Sequence, residues 1–107
     1  LGEQWDNTAV IIATEFGRTV AENGTGGTDH GTASALFLAG GAVSGGRVYG
    51  KWPGLKKAQL FEGRDLMPTS DNRQWISALL KQHWELTDVQ LNKVFPQISP
   101  KHINLIR

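Results

Sequence analysis

The run TAVIIAT, residues 8–14, constrains this chain more than any other stretch. It is apolar without interruption from Ala9 to Ala13 and centres on the β-branched residues Val10, Ile11 and Ile12. A strand with one wet face alternates apolar and polar side chains. An unbroken run belongs to a strand buried on both faces, as in the middle of a parallel sheet covered by helices. Such a strand needs neighbours on both edges and a layer over each face. The expected fold class is therefore α/β, with 8–14 an interior, mostly parallel central strand. The other residues of a 107-residue chain cannot supply all of that cover. The expectation is that residues 1–107 are the C-terminal portion of a single larger domain. Alone, such a portion is expected to be marginally stable or self-associating, with the remainder of the parent domain as its natural partner.

Downstream, residues 15–33 are polar and glycine-rich and read as a long loop. SALFLAGG (34–41) reads as the next strand. SGG followed by RVYG (44–50) reads as a tight turn into a short strand, and another short strand is expected at Gln59–Phe61. Beyond Pro68 the period changes. Start signals at Thr69, Ser70 and Asp71 precede apolar residues at Trp75, Ile76, Leu79, Leu80 and Trp84, one face of a helix over about 71–84. Thr87 and Gln90 fit a capping box for a second helix over about 88–95, closed by Pro96.

Composition excludes several classes. Eleven basic and ten acidic residues nearly balance, and no basic run exceeds Lys56-Lys57, so a nucleic-acid partner is not expected. No stretch approaches the ~18 apolar residues of a membrane span. The chain has no cysteine, so thiolate metal sites and disulfides are excluded.

Ligands in open α/β sheets gather beyond the carboxyl ends of strands. That places Glu15, directly after the first strand, at a site-forming position, with Arg18 close behind it. Asp29 and His30 sit in the limb of the loop that returns to the sheet. Two carboxylates and an imidazole meeting at one rim would suit zinc, manganese or magnesium. Each residue also has a plainer reading. Glu15 can be an ion-pair partner of Arg18, Asp29 a turn residue accepting backbone N–H bonds, and His30 a hydrogen-bonded or metal-orienting histidine. The four tryptophans read as packing: Trp75 and Trp84 on the helix, Trp5 before the strand, and Trp52 folded over the loop. His83 reads as a boundary residue and His102 as solvated.

The segments VIIATEFGRT, NGTGGTDHG, LFLAGGAVSGGRVYG, GRDLMPTSDNR and VFP occur in that order. Together they resemble the C-terminal part of the domain-of-unknown-function family numbered 1501, a group of exported bacterial proteins similar to the alkaline phosphatase and sulfatase superfamily. The resemblance runs from about residue 8 to the end of the chain. It implies the C-terminal portion of an alkaline-phosphatase-like three-layer sandwich, exported or periplasmic, acting on phosphate or sulfate esters with a divalent metal. TDHG (28–31) looks by eye like the superfamily's Asp-His-Gly, but it follows GTGG and not a strand. The strand is followed by TEFG. The resemblance thus places Glu15 on the superfamily's aspartate, Phe16 on its histidine, and His30 on the histidine of the second metal. Phe16 cannot bind metal. The implied roles are Glu15, Asp29 and His30 as metal ligands and Arg18 on the anionic substrate. The nucleophile and remaining ligands would lie earlier in the parent, so this chain alone is not expected to be active. The alternative is a non-catalytic relative whose degenerate site binds a carbohydrate or a protein.

Overall fold

The computed structural model describes all residues from Leu1 to Arg107. In chain order it contains a 3-10 helix (Gly2–Asn7), β1 (Val10–Ile12), β2 (Gly17–Arg18), β3 (His30–Gly31), β4 (Phe37–Ala39), a second 3-10 turn (Lys57–Gln59), α1 (Asn72–His83) and α2 (Asp88–Val94). The architecture is a small mixture of helices and short strands, organised as two compact units.

The first unit comprises residues 1–11, 37–47 and 71–107. Both helices form where their caps predict. Asp71 caps α1 by accepting from the Arg73 N–H, and the Gln74 side chain returns to the Asp71 N–H. Thr87 and Gln90 make the same reciprocal pair at α2. Such boxes satisfy backbone donors that a helix start leaves without partners. The inward face of α1 is Ser77, Ala78 and Leu79, all buried, with Trp75, Ile76 and Leu80 half-buried at its margins. Ala78, Leu79 and Leu105 form the core, flanked by Ala9, Leu38, Ile103 and Ile106. Gln82 ties the C-terminal tail to α1: its Nε2 donates to the Ile103 carbonyl at 2.7 Å, and its Oε1 accepts from the Leu105 and Ile106 N–H groups at 2.7 and 3.2 Å. Trp84 closes α1 as its C-cap and is 67% exposed, so the packing role expected of it fails. The helical stripe ends one turn earlier, at Leu80.

β1 departs furthest from expectation. It is three residues long, pairs with β4 alone, and leaves Val10, Ile11 and Ile12 exposed. Phe37 of β4 is 61% exposed. The apolar run forms a strand, but this chain provides no second neighbour and no covering layer. The glycines that follow β4 are there for close approach. A Cβ on Gly40 would strike the Thr8 carbonyl, and one on Gly41 the Trp5 carbonyl.

The second unit comprises residues 12–36 and 48–70. The stretch read as one loop, 15–33, contains an antiparallel pair, β2 with β3, in the register Gly17↔Gly31 and Arg18↔His30. Two glycines face each other because the backbones crowd there. An added Cβ on Gly17 would land on the Ala33 carbonyl, and one on Gly31 within 2.7 Å of the Arg18 carbonyl. No strand forms at 47–50, where Val48 is fully exposed. Residues 57–59 are a 3-10 turn, and only Phe61 makes an isolated bridge, to Asp65. Trp52 is 70% exposed and does not fold over the loop.

Candidate functional site

The β2–β3 pair sets the geometry of the rim. Phe16 and Arg18 flank Gly17 and lie two residues apart, on the same side of the pleat. The register puts His30 opposite Arg18. The rings of Phe16 and His30 stack, with centroids 3.9 Å apart and planes tilted by 22°. The Arg18 guanidinium carbon sits 5.6 Å from the centre of the Phe16 ring, within cation–π range. One Arg18 Nη donates to the Thr28 carbonyl at 3.0 Å, which leaves most of the five guanidinium N–H donors free to meet an anion. Thr14, Glu15, Phe16, Gly17, Arg18 and Ser34 line an open hollow of about 650 Å³.

Glu15 is exposed and makes no hydrogen bond or ion pair. The Glu15–Arg18 ion pair, the plainer reading of Glu15, does not form; Arg18 turns to Thr28 and Phe16 instead. The neighbours Asp29 and His30 go to different partners. The Asp29 carboxylate accepts from Asn23 Nδ2 at 3.1 Å, and its backbone exchanges bonds with Thr19: the Asp29 N–H donates to Thr19 Oγ1 and the Asp29 carbonyl accepts from the Thr19 N–H. Glu15, Phe16 and Arg18 thus line one hollow, His30 stacks on Phe16, and Asp29 braces the turn through Asn23 and Thr19. Glu15, Asp29 and His30 do not form a group of three donors able to hold a metal ion, and no other such group occurs in the chain.

Behind the hairpin lies a support that the sequence did not disclose. Asp65 is 3% exposed and accepts from the Thr32 hydroxyl at 2.9 Å and from Arg64 Nε at 3.0 Å. The Thr32 bond first, and the Arg64 guanidinium after it, hold its carboxyl below the ordinary value, against the opposing effect of burial. The Asp65 backbone bridges both Thr19 and Phe61, and Arg64 Nη donates to the His30 carbonyl at 3.3 Å. Arg64-Asp65 therefore anchors both strands of the hairpin. The signal lay in GRDLMP, but nothing local to those letters tells that this aspartate is buried.

A family model described as Protein of unknown function (DUF1501) matches residues 1–98. The chain belongs to this family. No curated protein and no solved structure matches it. The matched residues of this DUF1501 member include the whole hairpin, its Asp65 anchor and both helices, and they stop before Leu105 of the core.

Proposed function

We propose that this DUF1501 chain is the C-terminal portion of a larger alkaline-phosphatase-like domain in an exported or periplasmic protein, and that its hairpin forms one rim of a metal-dependent site for phosphate or sulfate esters. The observation that supports this most is the convergence on Phe16. Glu15 and Arg18 line the hollow on either side of it, and His30 lies against its ring. Arg18 is the group for the ester's anionic oxygens, since a planar guanidinium donates to two of them at once. Its stack on Phe16 and its bond to Thr28 limit the orientations it must give up on binding. Glu15 and His30 are the rim's metal-binding side chains under this reading, with Asp29 as an orienting residue. This chain's donors do not complete a metal site, so the rest must come from the other part of the domain. The exposed Val10, Ile11, Ile12 and Phe37 support the existence of that part, because an apolar two-stranded sheet is ordinarily covered.

A second reading has its own observation. Phe16 stands where the superfamily resemblance places a metal-binding histidine, and its ring covers one face of His30. This favours a non-catalytic relative whose aromatic and charged rim holds a carbohydrate or a protein. The two readings separate in the full-length protein, assayed with an aryl phosphate and an aryl sulfate and titrated with zinc by calorimetry, each with a His30→Ala control. Hydrolysis and zinc binding that both depend on His30 support the hydrolase. No hydrolysis of either ester, with zinc binding indifferent to His30, supports the binding module.

A further inference from the structure

The turn that carries the chain from β2 to β3 is organised by one side chain, Asn23. Its Oδ1 accepts three hydrogen bonds: from the Thr25 N–H at 3.0 Å, the Thr25 hydroxyl at 2.9 Å and the Gly27 N–H at 3.0 Å. Its Nδ2 donates to Asp29 Oδ1 at 3.1 Å. Its backbone N–H donates to the Gly27 carbonyl at 2.7 Å. The bond from the Thr25 N–H folds the side-chain amide back along the main chain, over the peptide of the residue between them. That residue is Gly24. Its N–H makes no hydrogen bond, and a Cβ built on it would meet nothing within 4 Å. A nucleophile unhindered by a side chain thus sits beside an amide whose oxygen is already surrounded by donors.

We propose that Asn23-Gly24 is a site of spontaneous deamidation that the folded loop itself promotes, and that the modification releases Asp29. The Gly24 nitrogen gives its proton to solvent base and attacks Asn23 Cγ, forming a C–N bond. The charge that develops falls on Oδ1. Collapse of the tetrahedral species breaks the Cγ–Nδ2 bond, and the nitrogen leaves as ammonia after taking one proton from water. One water then opens the succinimide to aspartate or isoaspartate. The net change is one water consumed and one ammonia released, without any oxidant or reductant. Donors already directed at the atom that becomes anionic hold it more strongly in the transition state than in the neutral amide. The other asparagines, Asn7, Asn72, Asn92 and Asn104, precede Thr8, Arg73, Lys93 and Leu105, whose side chains hinder the same attack.

The consequence follows from the loss of Nδ2. The new carboxylate keeps its bonds from Thr25 and Gly27, but toward Asp29 it presents an oxygen in place of a donor. Attraction becomes repulsion between like charges. The Asp29 carboxylate is expelled from the turn, while its backbone stays bonded to Thr19. An isoaspartate also lengthens the backbone and breaks the bond from the Asn23 N–H to Gly27.

The test is to incubate the purified chain in mildly alkaline buffer beside a synthetic peptide of residues 20–30. Aspartate and isoaspartate at position 23 are then quantified by mass spectrometry. Removing one donor from a closed oxyanion site slows a reaction about a hundredfold or more, so three donors in an open turn are expected to make the folded chain about tenfold faster than the peptide. Thr25→Val, which removes the hydroxyl and keeps the N–H, is expected to slow the folded chain several-fold. A folded rate equal to or below that of the peptide overturns the proposal, as does an unchanged rate in Thr25→Val. Asn23→Asp tests the consequence at the group that loses its donor: a shifted Asp29 side-chain carboxyl carbon resonance is expected in NMR, and an unchanged resonance overturns the release of Asp29.

Discussion

Gly17→Ala tests how the hairpin is held together. Gly17 is buried between Phe16 and Arg18, directly opposite Gly31. Its φ is not in the left-handed region, so alanine meets no conformational objection, and the effect is steric. The added Cβ would fall on the carbonyl of Ala33, and backbone cannot swing aside as a flexible side chain does. Inserting a methyl group into a packed site costs typically ~1–3 kcal/mol. Replacing glycine stiffens the unfolded chain and returns ~0.4–1 kcal/mol. The net expectation is a loss of about 1–2 kcal/mol. At ~4–8 °C per kcal/mol for a domain of this size, thermal unfolding followed by circular dichroism should move down by roughly 5–15 °C. Gly45→Ala is the control, because its Cβ meets nothing within 4 Å and it has no positive φ; its midpoint should barely move. An unchanged midpoint for Gly17→Ala, or equal losses for both variants, refutes the claim that contact at Gly17 sets the strand spacing.

Three further expectations follow. Ser77 is 1% exposed, and its hydroxyl has no hydrogen-bond partner. Leaving such a group unsatisfied costs ~1–3 kcal/mol and alanine is the better helix former, so Ser77→Ala should raise stability by about 1 kcal/mol in urea unfolding. A clear loss would show that the hydroxyl is satisfied. Asp71, whose carboxyl the Arg73 side chain and then the Arg73 N–H hold at about 2, should stabilise the first unit above its unfolded value of 3.8. That contribution should vanish as pH falls from near 4 through about 2. Asp65, lowered for the reasons given above, acts in the same direction. Acid titration of Asp71→Asn should lack this part of the fall, and a titration identical to the parent chain's would contradict it. Finally, the exposed Val10, Ile11, Ile12 and Phe37 should make the isolated chain associate with rising concentration in sedimentation velocity, and Ile12→Lys should reduce this. Ideal monomer behaviour for the unaltered chain would count against it.

The helices were legible because their signals are local. Asp71 and Thr87 cap within their own turn, and the apolar spacing from Trp75 to Leu80 marks the helix, although of those residues only Leu79 lies on the buried face, which Ser77 and Ala78 complete. The end of α1 was less legible, since Trp84 continues the spacing by letter yet sits at the C-cap in solvent. The strand at 8–14 was legible as a strand and not as a surface. Its composition reflects a buried setting that depends on partners elsewhere, and this chain supplies only β4. The placement of the candidate residues was half legible: the end of the first strand brought Glu15 and Arg18 to one hollow, and the return limb set His30 opposite Arg18, while their roles remain a proposal. The β2–β3 pair was hidden, because two-residue strands built on Gly17 and Gly31 carry no alternation to read. Asn23 and Asp65, which fix the turn and the hairpin, were missed for opposite reasons. Asn23 looked like any residue of a glycine-rich loop, and Asp65 acts through contacts with Thr32 and Thr19 far away in sequence.

The central proposal is that the hairpin, with His30 stacked on Phe16 and Arg18 opposite His30, serves as an anion-recognising rim. Nuclear Overhauser effects between the Phe16 and His30 rings, recorded during a titration with inorganic phosphate, test it most directly. The account predicts strong ring-to-ring effects from a 3.9 Å stack, and phosphate-dependent shifts at Arg18 Nε–H and the His30 ring that disappear in Arg18→Gln. Rings without mutual effects, or phosphate shifts that leave Arg18 and His30 untouched, would contradict it.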